Sequence, residues 1–334
     1  MSTSERIVVD RLPEGPLTGS EFKLEACPVP DPGEGEVRVR VVALTIGAGQ
    51  RAGLQGSASY AGAPTTGVVM GGTGIGVVEV SVAPGISVGD VVVGFTGWQR
   101  HVVLPAEQVR VVDPAVDPAL HLGVLGTNGL TAYFGLFDVG QPQRGETVVV
   151  SAAAGSVGHT VGQLAKLHGC RVVGVAGSDD KCRILTQELG FDIALNRTAA
   201  DFRDQFRAAT PQRIGVYFDN TGGEILGAAL FRMAPHGRIV CCGAVSAYDT
   251  TTPGPSPRGI PGLLVNNRVR MEGFLVFDFA ERYDDARAEL SRWIAEGRLQ
   301  PRSVDYHGLD AAPRAFVDLL RGETVGTTIV RLDR

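Results

Sequence analysis

The sequence is poor in lysine, cysteine and aromatic residues, and it has no long hydrophobic run. Only three of its 31 basic residues are lysines, namely Lys23, Lys166 and Lys181. Five cysteines, an odd and sparse set, do not form the pattern of a disulfide framework, so we expect buried free thiols. No apolar stretch approaches the roughly 18 residues of a membrane span. The polar start Met1–Val8 holds no signal-peptide core. These absences favour a cytosolic protein.

The composition is that of an ordinary globular chain. With 334 residues, about two domains are expected. The formal charge is −5 (31 basic minus 36 acidic residues), and no basic stripe is present, which argues against a nucleic-acid partner. Glycine is abundant, at 45 residues, but shows no collagen-like period. We therefore expect glycines at turns and close backbone approaches.

The order of the predicted elements indicates two kinds of sheet. The first third carries β signals, such as the alternating stretch Val37–Ile46, without a long amphipathic helix before about residue 120. It predicts a small, partly open β-barrel. From residue 147 strands and helices alternate, which predicts a parallel sheet built from βαβ units. The predicted strands there are Thr147–Ser151, Arg171–Ala176, Ile214–Phe218 and Arg238–Cys242. The predicted helices are Ser156–His168, Ser178–Leu189 and Glu224–Ala234, with Ser178 as the N-cap of the second. Two more helices, Ala280–Glu296 and Ala311–Leu320, and a last strand, Thr327–Leu332, follow later.

A glycine-containing turn follows the first strand of the alternating region. It reads Ala153-x-Gly155-x-x-Gly158, with alanine in the first glycine place of the dinucleotide fingerprint. A pyrophosphate needs a close backbone approach and a helix N-terminus, and this turn lies between a strand and a helix as the motif requires. The alternative is a merely tight strand–helix turn. We interpret it as a nucleotide-binding loop.

The end of the second strand favours NADPH over NADH. NAD-binding proteins usually place an acidic residue there to hold the ribose 2′-hydroxyl. This chain has Gly177-Ser178 instead, which leaves room for a 2′-phosphate, while Lys181 and Arg197 could supply charge. The neighbouring Asp179-Asp180 pair argues against NADPH, unless it faces solvent and favours the helix dipole.

Seven stretches together resemble a known family, the zinc-free branch of the medium-chain dehydrogenases/reductases, which holds prostaglandin reductases and NADPH-dependent alkenal double-bond reductases. Two departures from the family are Gly47-Ala48-Gly49-Gln50-Arg51, where Asp-Pro-Tyr-Met-Arg is usual, and Thr324, where an asparagine contacting the cofactor is usual. The stretches that carry the resemblance are Gly94–Gln99, Leu125–Tyr133, Val148–Lys166, Gly174–Lys181, Tyr217–Gly223, Cys242–Tyr248 and Gly326–Val330.

The resemblance implies an α/β protein with a Rossmann doubly wound parallel sheet and a GroES-like β-barrel domain. The barrel domain would comprise residues 1–122 and 302–334, and the Rossmann domain residues 123–301. The active site would lie in the cleft between them. The family also implies a homodimer, often joined edge to edge through the Rossmann sheets.

The sequence disfavours a zinc site. Zinc-dependent relatives carry a Gly-His-Glu ligand motif and a four-cysteine lobe, but here Met70-Gly71-Gly72 occupies the motif position. No cysteine lies between Cys27 and Cys170, and the six histidines are scattered. We therefore expect hydride transfer without a metal, to the β-carbon of an α,β-unsaturated ketone or aldehyde.

The resemblance places a catalytic tyrosine at Tyr248, whose phenol would donate to the carbonyl oxygen as charge develops there. The alternative interpretation of Tyr248 is a tyrosine that only packs, in a loop after a strand. The pocket would include Gly49, in place of a family tyrosine, and Tyr60 is the next candidate donor. Cofactor contacts would come from Thr131, Gly155, Ser156, Val157, Gly158, Ser178, Lys181, Arg197, Asn220, Cys242, Gly243, Ala244, Val245, Ser246, Phe274, Leu275, Val276 and Thr324. The alternative functions are an NADPH-dependent quinone reductase and a non-catalytic NADPH-binding protein.

Overall fold

The computed structural model describes residues 3–56, 63–250 and 257–332. The chain divides into two compact units. The barrel unit comprises Met1–Gly123 and Ser303–Arg334, and the parallel-sheet unit comprises Val124–Arg302. Within the described ranges, no helix combines the length and apolar character needed to cross a bilayer.

The barrel unit is built mainly from antiparallel strands. A hairpin of β1 and β2 forms a small sheet, and seven strands form a larger one in the order β14-β15-β3-β4-β5-β7, with β6 also paired to β3. The strands are β1 Thr3–Val9, β2 Phe22–Pro28, β3 Glu36–Ile46, β4 Gly74–Ser81, β5 Val91–Gly94, β6 His101–Pro105, β7 Val109–Val112, β14 Ser303–His307 and β15 Thr327–Arg331.

Buried and partly buried side chains alternate along β3, which gives this sheet one buried face. Val37, Val39 and Val41 are at most 2% exposed, while the residues between them are only partly buried. Three aromatic rings extend the same core. The centroid of the Trp98 ring lies 5.3 Å from that of Phe22 and 5.8 Å from that of Phe316. The helices of the barrel unit are α1 Gly49–Leu54, α2 Pro118–Leu122 and α10 Ala312–Leu320.

The other unit holds a six-stranded sheet in which every pairing is parallel. Its order is β10-β9-β8-β11-β12-β13, so the chain moves outward in one direction from β8 and then in the other from β11. This reversal creates a crevice at the carboxyl ends of β8 and β11, where open α/β sheets bind ligands. The strands are β8 Thr147–Val150, β9 Arg171–Ala176, β10 Ile193–Asn196, β11 Ile214–Asp219, β12 Met233–Cys241 and β13 Arg270–Gly273.

Among its described residues this unit has seven α-helices, of which α4 to α8 contact strands of the sheet. The helices are α3 Thr127–Phe134, α4 Ser156–Leu167, α5 Asp179–Gln187, α6 Phe202–Ala209, α7 Gly223–Leu230, α8 Ile260–Asn267 and α9 Tyr283–Ala295. A π-helical turn, Gly135–Gly140, continues α3. The predicted doubly wound parallel sheet with a separate barrel-like sheet is confirmed.

Two predicted helices differ from the structure. The prediction Glu224–Ala234 runs too far, because α7 ends at Leu230 and β12 already begins at Met233. The Met233 side chain is fully buried and its backbone pairs with Ile214, so sheet pairing outweighs helical propensity there. The prediction Ala280–Glu296 begins too early, because a 3₁₀ turn precedes α9 and ends at Arg282.

Candidate cofactor and active site

A tight turn joins β8 to α4 at the crevice of the parallel sheet. Ala152 has a φ of 46°, and the N–H of Gly155 donates to the Ala152 carbonyl at 2.9 Å. A Cβ on Gly158 would lie 2.3 Å from that carbonyl oxygen. Glycine at 158 is therefore what lets the first turn of the helix lie against the loop.

This geometry fits a pyrophosphate. Gly155 is the N-cap of α4 and has no side chain to occupy the first helical N–H groups. The backbone of Ser156 and Val157 follows it at the positive end of the helix dipole. An anion at the end of β8 would find N–H donors there, as in dinucleotide-binding folds.

The end of β9 leaves space beside a guanidinium. A Cβ on Gly177 would lie 3.8 Å from Arg197 Nε, and the N–H of Arg197 donates to Ala176 O at 2.9 Å. Ser178 caps α5, its Oγ accepting from the N–H of Lys181 at 3.4 Å. This cap was predicted and is confirmed. As an acceptor in the cap, the Ser178 hydroxyl keeps its proton for a further partner.

The two acidic residues in the first turn of α5 are engaged by neighbours. Asp179 accepts a hydrogen bond from Asn196 Nδ2 at 2.9 Å. Asp180 forms an ion pair with Arg183 one turn further along the helix. Pairing with Arg183 offsets the charge of Asp180, which weakens the sequence-based argument against a 2′-phosphate at this strand end.

A buried polar network joins the ends of β8 and β11. Asn220 donates from Nδ2 to Ser151 O at 2.8 Å and from its backbone N–H to Ser151 Oγ at 2.9 Å. Asp219 Oδ1 accepts from Tyr217 Oη at 2.9 Å and from the N–H of Gly222 at 2.8 Å. Burial, and then the Asp219 carboxylate, raises the pKa of Tyr217 well above its ordinary value, so its hydroxyl remains a donor.

Sequence reasoning found Asn220 but missed the other members of this network, Ser151, Tyr217 and Asp219. A signal was present, since polar residues directly follow two neighbouring apolar strands whose carboxyl ends meet at one edge. The network fixes the floor of the crevice.

The loop after β12 is hydrogen-bonded to residues 219–221 at the end of β11. The N–H of Cys242 donates to Asp219 O at 2.9 Å, and that of Val245 donates to Asn220 O at 3.2 Å. Ser246 Oγ donates to Thr221 O at 2.6 Å. Burial, and then Asp219, raises the pKa of Cys242 to about 12, so this thiol is no nucleophile at neutral pH.

Tyr248 lies at the end of the same loop, after a 3₁₀ turn at Val245–Ala247. Its side chain is half-buried, and its Oη accepts from the N–H of Ala244 at 3.2 Å. The phenol is therefore oriented by the loop while its own proton can be donated elsewhere. The predicted cofactor residues Cys242, Gly243, Ala244, Val245 and Ser246 all belong to this one loop.

The predicted nicotinamide wall follows β13. A Cβ on Gly135 would lie 2.6 Å from Phe274 Cζ, so Phe274 packs directly on the π-helical turn. Val276 is buried with Phe134, whereas Leu275 is 42% exposed. The π-helical turn that receives Phe274 was not predicted from the sequence.

The remaining predicted residues have simpler surroundings. Thr131 Oγ1 donates to the Thr127 carbonyl within α3 at 2.7 Å. In the barrel unit, Gly49 is the first residue of α1, and Thr324 is buried shortly before β15. Tyr60 lies outside the described residues.

The position of the zinc-ligand motif in zinc-dependent relatives is filled by other contacts. Gln50 Nε2 donates to Gly71 O at 2.6 Å, while Gln50 Oε1 accepts from the N–H of Gly47 at 2.8 Å. A Cβ on Gly72 would lie 2.9 Å from Gln50 Nε2 and 3.0 Å from Trp98 Nε1. Across the described part of the chain, no group of three or more His, Cys, Asp or Glu side chains could hold a metal ion.

Known families match parts of both units. Residues 5–112 match a family described as the N-terminal domain of oxidoreductase, and residues 156–295 match one described as zinc-binding dehydrogenase. The NADPH-dependent curcumin reductase of Escherichia coli (strain K12) is 40% identical over 335 residues, which cover 98% of this chain and 97% of that protein. Prostaglandin reductase 1 of Rattus norvegicus is 38% identical, over 95% of this chain and 96% of that protein.

A solved structure is also similar over the full length. It is CurA from Vibrio vulnificus in complex with NADPH, which is 36% identical, with a TM-score of 0.94 and coverage of 99% of each chain.

Proposed function

Because the chain belongs to the zinc-free branch of the medium-chain dehydrogenase/reductase family, we propose that it is an NADPH-dependent reductase of the carbon–carbon double bond in α,β-unsaturated ketones or aldehydes. The observation that carries the proposal is one crevice with two features. A tight turn whose geometry fits a phosphate lies at the end of β8, and an oriented phenol, Tyr248, lies on the loop bonded to the neighbouring strand end.

The residues present fit NADPH. The backbone of Gly155–Gly158 would hold the pyrophosphate, because Gly158 permits the close approach. Ser178, Lys181 and Arg197 would hold the 2′-phosphate by charge-assisted hydrogen bonds. Further contacts would come from the 242–246 loop for the nicotinamide ribose, and from Thr131, Asn220, Phe274, Leu275, Val276 and Thr324.

The proposed chemistry is addition across a polarised double bond. NADPH, when bound, supplies the hydride that adds to the substrate β-carbon. The π electrons of the double bond then shift toward the carbonyl group and give an enolate oxygen. Tyr248 would donate a hydrogen bond to that oxygen in the transition state, and could pass its proton to it. Solvent returns the proton to the phenolate, and tautomerisation gives the saturated carbonyl.

On the substrate side, Gly49 would widen the pocket, since it stands where the family has a tyrosine. Tyr60 is the second candidate donor. No metal is part of the proposal, because Gln50 contacts the backbone at the motif position where zinc-dependent relatives place a ligand.

Product analysis tests the function. The purified protein is given NADPH with an alkenal, an enone and a naphthoquinone, and the products are identified by mass spectrometry. The proposal expects a saturated carbonyl from the first two substrates. An allylic alcohol would refute it, and turnover of the quinone alone would indicate a quinone reductase. Tight NADPH binding without turnover of any acceptor would indicate a binding protein.

We also propose a homodimer joined through the parallel sheets. β13 is one edge of the six-stranded sheet, and it begins shortly after α8, whose Val265 is 73% exposed. Edge strands with open backbone groups pair readily with another copy. Light scattering should give twice the 35.1 kDa of one chain. A mass equal to one chain would contradict the dimer.

A further inference from the structure

Two buried polar side chains of α4, the helix that follows the proposed phosphate loop, reach the last residues of the parallel-sheet unit. They are His159 and Gln163, which are 2% and 5% exposed. Both reach the segment 300–302, where the chain leaves this unit. Neither side chain has a part in the proposed chemistry.

His159 contacts the loop on one side of its ring and the segment on the other. Nδ1 lies 2.9 Å from Gly155 O, and Nε2 accepts from the N–H of Arg302 at 3.2 Å. A carbonyl can only accept, so Nδ1 carries the proton and Nε2 presents its lone pair. Burial lowers the pKa of His159, which agrees with this neutral ring.

Gln163 holds the same segment one turn further along the helix. Its Oε1 accepts from the N–H of Gln300 at 2.8 Å, and its Nε2 donates to Gln300 O at 3.1 Å. Arg302 is also tied by an ion pair with Glu188. Gln300 therefore has an attachment that is independent of the His159 side chain, and it can serve as an internal reference.

We propose that His159 is a positioning residue that couples occupation of the Gly155–Gly158 loop to the order of the backbone at Arg302. The inference rests on the proposed NADPH site. An imidazole is rigid, so a carbonyl held firmly at Nδ1 fixes the position of the acceptor at Nε2. A nucleotide that orders the Gly155 peptide then also strengthens the Arg302 bond, and by linkage that bond favours nucleotide binding.

Two substitutions distinguish the hydrogen bond from His159 to Gly155 O from the hydrogen bond that His159 accepts from Arg302. His159→Asn retains a donor able to reach Gly155 O but is too short to accept from Arg302. His159→Gln places an acceptor further out, toward the Arg302 N–H. The matched control is His168→Asn, a half-buried histidine at the far end of the same helix.

The experiment measures hydrogen exchange at single amides, with and without NADPH, together with the NADPH dissociation constant by calorimetry. In the wild type and in His168→Asn, NADPH should slow exchange at the Arg302 amide by about fivefold or more, the effect of one hydrogen bond. In His159→Asn this slowing should be lost while Gln300 stays protected, and the dissociation constant should rise about fivefold. His159→Gln should retain part of the slowing.

The outcomes distinguish the two proposals. An unchanged NADPH effect at Arg302 in His159→Asn, with normal binding, would overturn the coupling and leave the proposed function intact. Loss of protection at both Gln300 and Arg302 would mean that His159 only stabilises the fold. A wild-type protein that does not bind NADPH would overturn the proposed function and the coupling together.

Discussion

The hydrogen bond that orients the Tyr248 hydroxyl does not engage the phenolic proton. Its oxygen accepts from the Ala244 N–H, and its proton is left for a second partner. A carbonyl oxygen that gains charge is the partner for which such a donor has the greatest effect.

We expect Tyr248→Phe to lower kcat by at least about tenfold, because one donor to a developing oxyanion is worth about 10²–10³ in rate and a ribose hydroxyl or water can partly replace it. NADPH affinity should change little, since the ring still packs. Steady-state kinetics with an enone measures this. Tyr306→Phe is the control, because Tyr306 donates to Asp318 in the barrel unit. Wild-type turnover in Tyr248→Phe would make Tyr60 the next candidate.

A second residue-scale prediction concerns cofactor choice. Lys181→Ala should weaken NADPH binding by roughly 1–3 kcal/mol, the value of a lost charge-assisted contact, and leave NADH binding almost unchanged. Calorimetry with both nucleotides measures the difference. Lys166→Ala is the matched control, because Lys166 pairs with Asp192 on the outside of α4. Equal weakening of both nucleotides in Lys181→Ala would contradict the 2′-phosphate assignment.

Among the elements, the turn from β8 into α4 has the tightest geometric requirement. The Gly158 backbone faces the Ala152 carbonyl, so even one methyl group displaces the loop from the helix N-terminus. The same turn presents the N–H groups on which phosphate binding depends.

We therefore expect Gly158→Ala to weaken NADPH binding by about tenfold or more, because overpacking of this size costs about 1–3 kcal/mol. Fluorescence titration with NADPH measures the effect. The control is Gly262→Ala in α8, where an added Cβ meets no atom within 4 Å. That change should leave NADPH affinity alone and stabilise the fold by about 0.5–1 kcal/mol. Undiminished affinity in Gly158→Ala would argue against the pyrophosphate position.

For the whole molecule, the absence of the zinc-ligand motif has a direct consequence. Elemental analysis of the purified protein should find no stoichiometric zinc, and treatment with a chelator should leave both activity and the unfolding temperature unchanged. The physical reason is that Gln50 contacts the backbone at the motif position, and glutamine is not a usual zinc ligand. Activity lost to a chelator and restored by zinc would overturn this expectation.

Local sequence determined much of the parallel-sheet unit. The short apolar run Thr147–Ser151 predicted a strand of the parallel sheet, observed as Thr147–Val150, and the residue types at 155, 158 and 178 predicted the loop and the cap. These features depend on neighbours within a few residues, so the pattern contains the information. Tyr248 came only from the family resemblance.

Tertiary structure decided what depends on distant partners. The start of β12 at Met233 follows from pairing with Ile214, and the π-helical turn at Gly135 packs against the rings of Phe274 and Phe218, which are distant in sequence. The polar network of Asp219 needed two strands brought side by side. His159 lay inside a predicted helix, but its bond to Arg302 spans 143 residues of chain. No local pattern encodes such a contact, because His159 and Arg302 come close together only in the folded parallel-sheet unit.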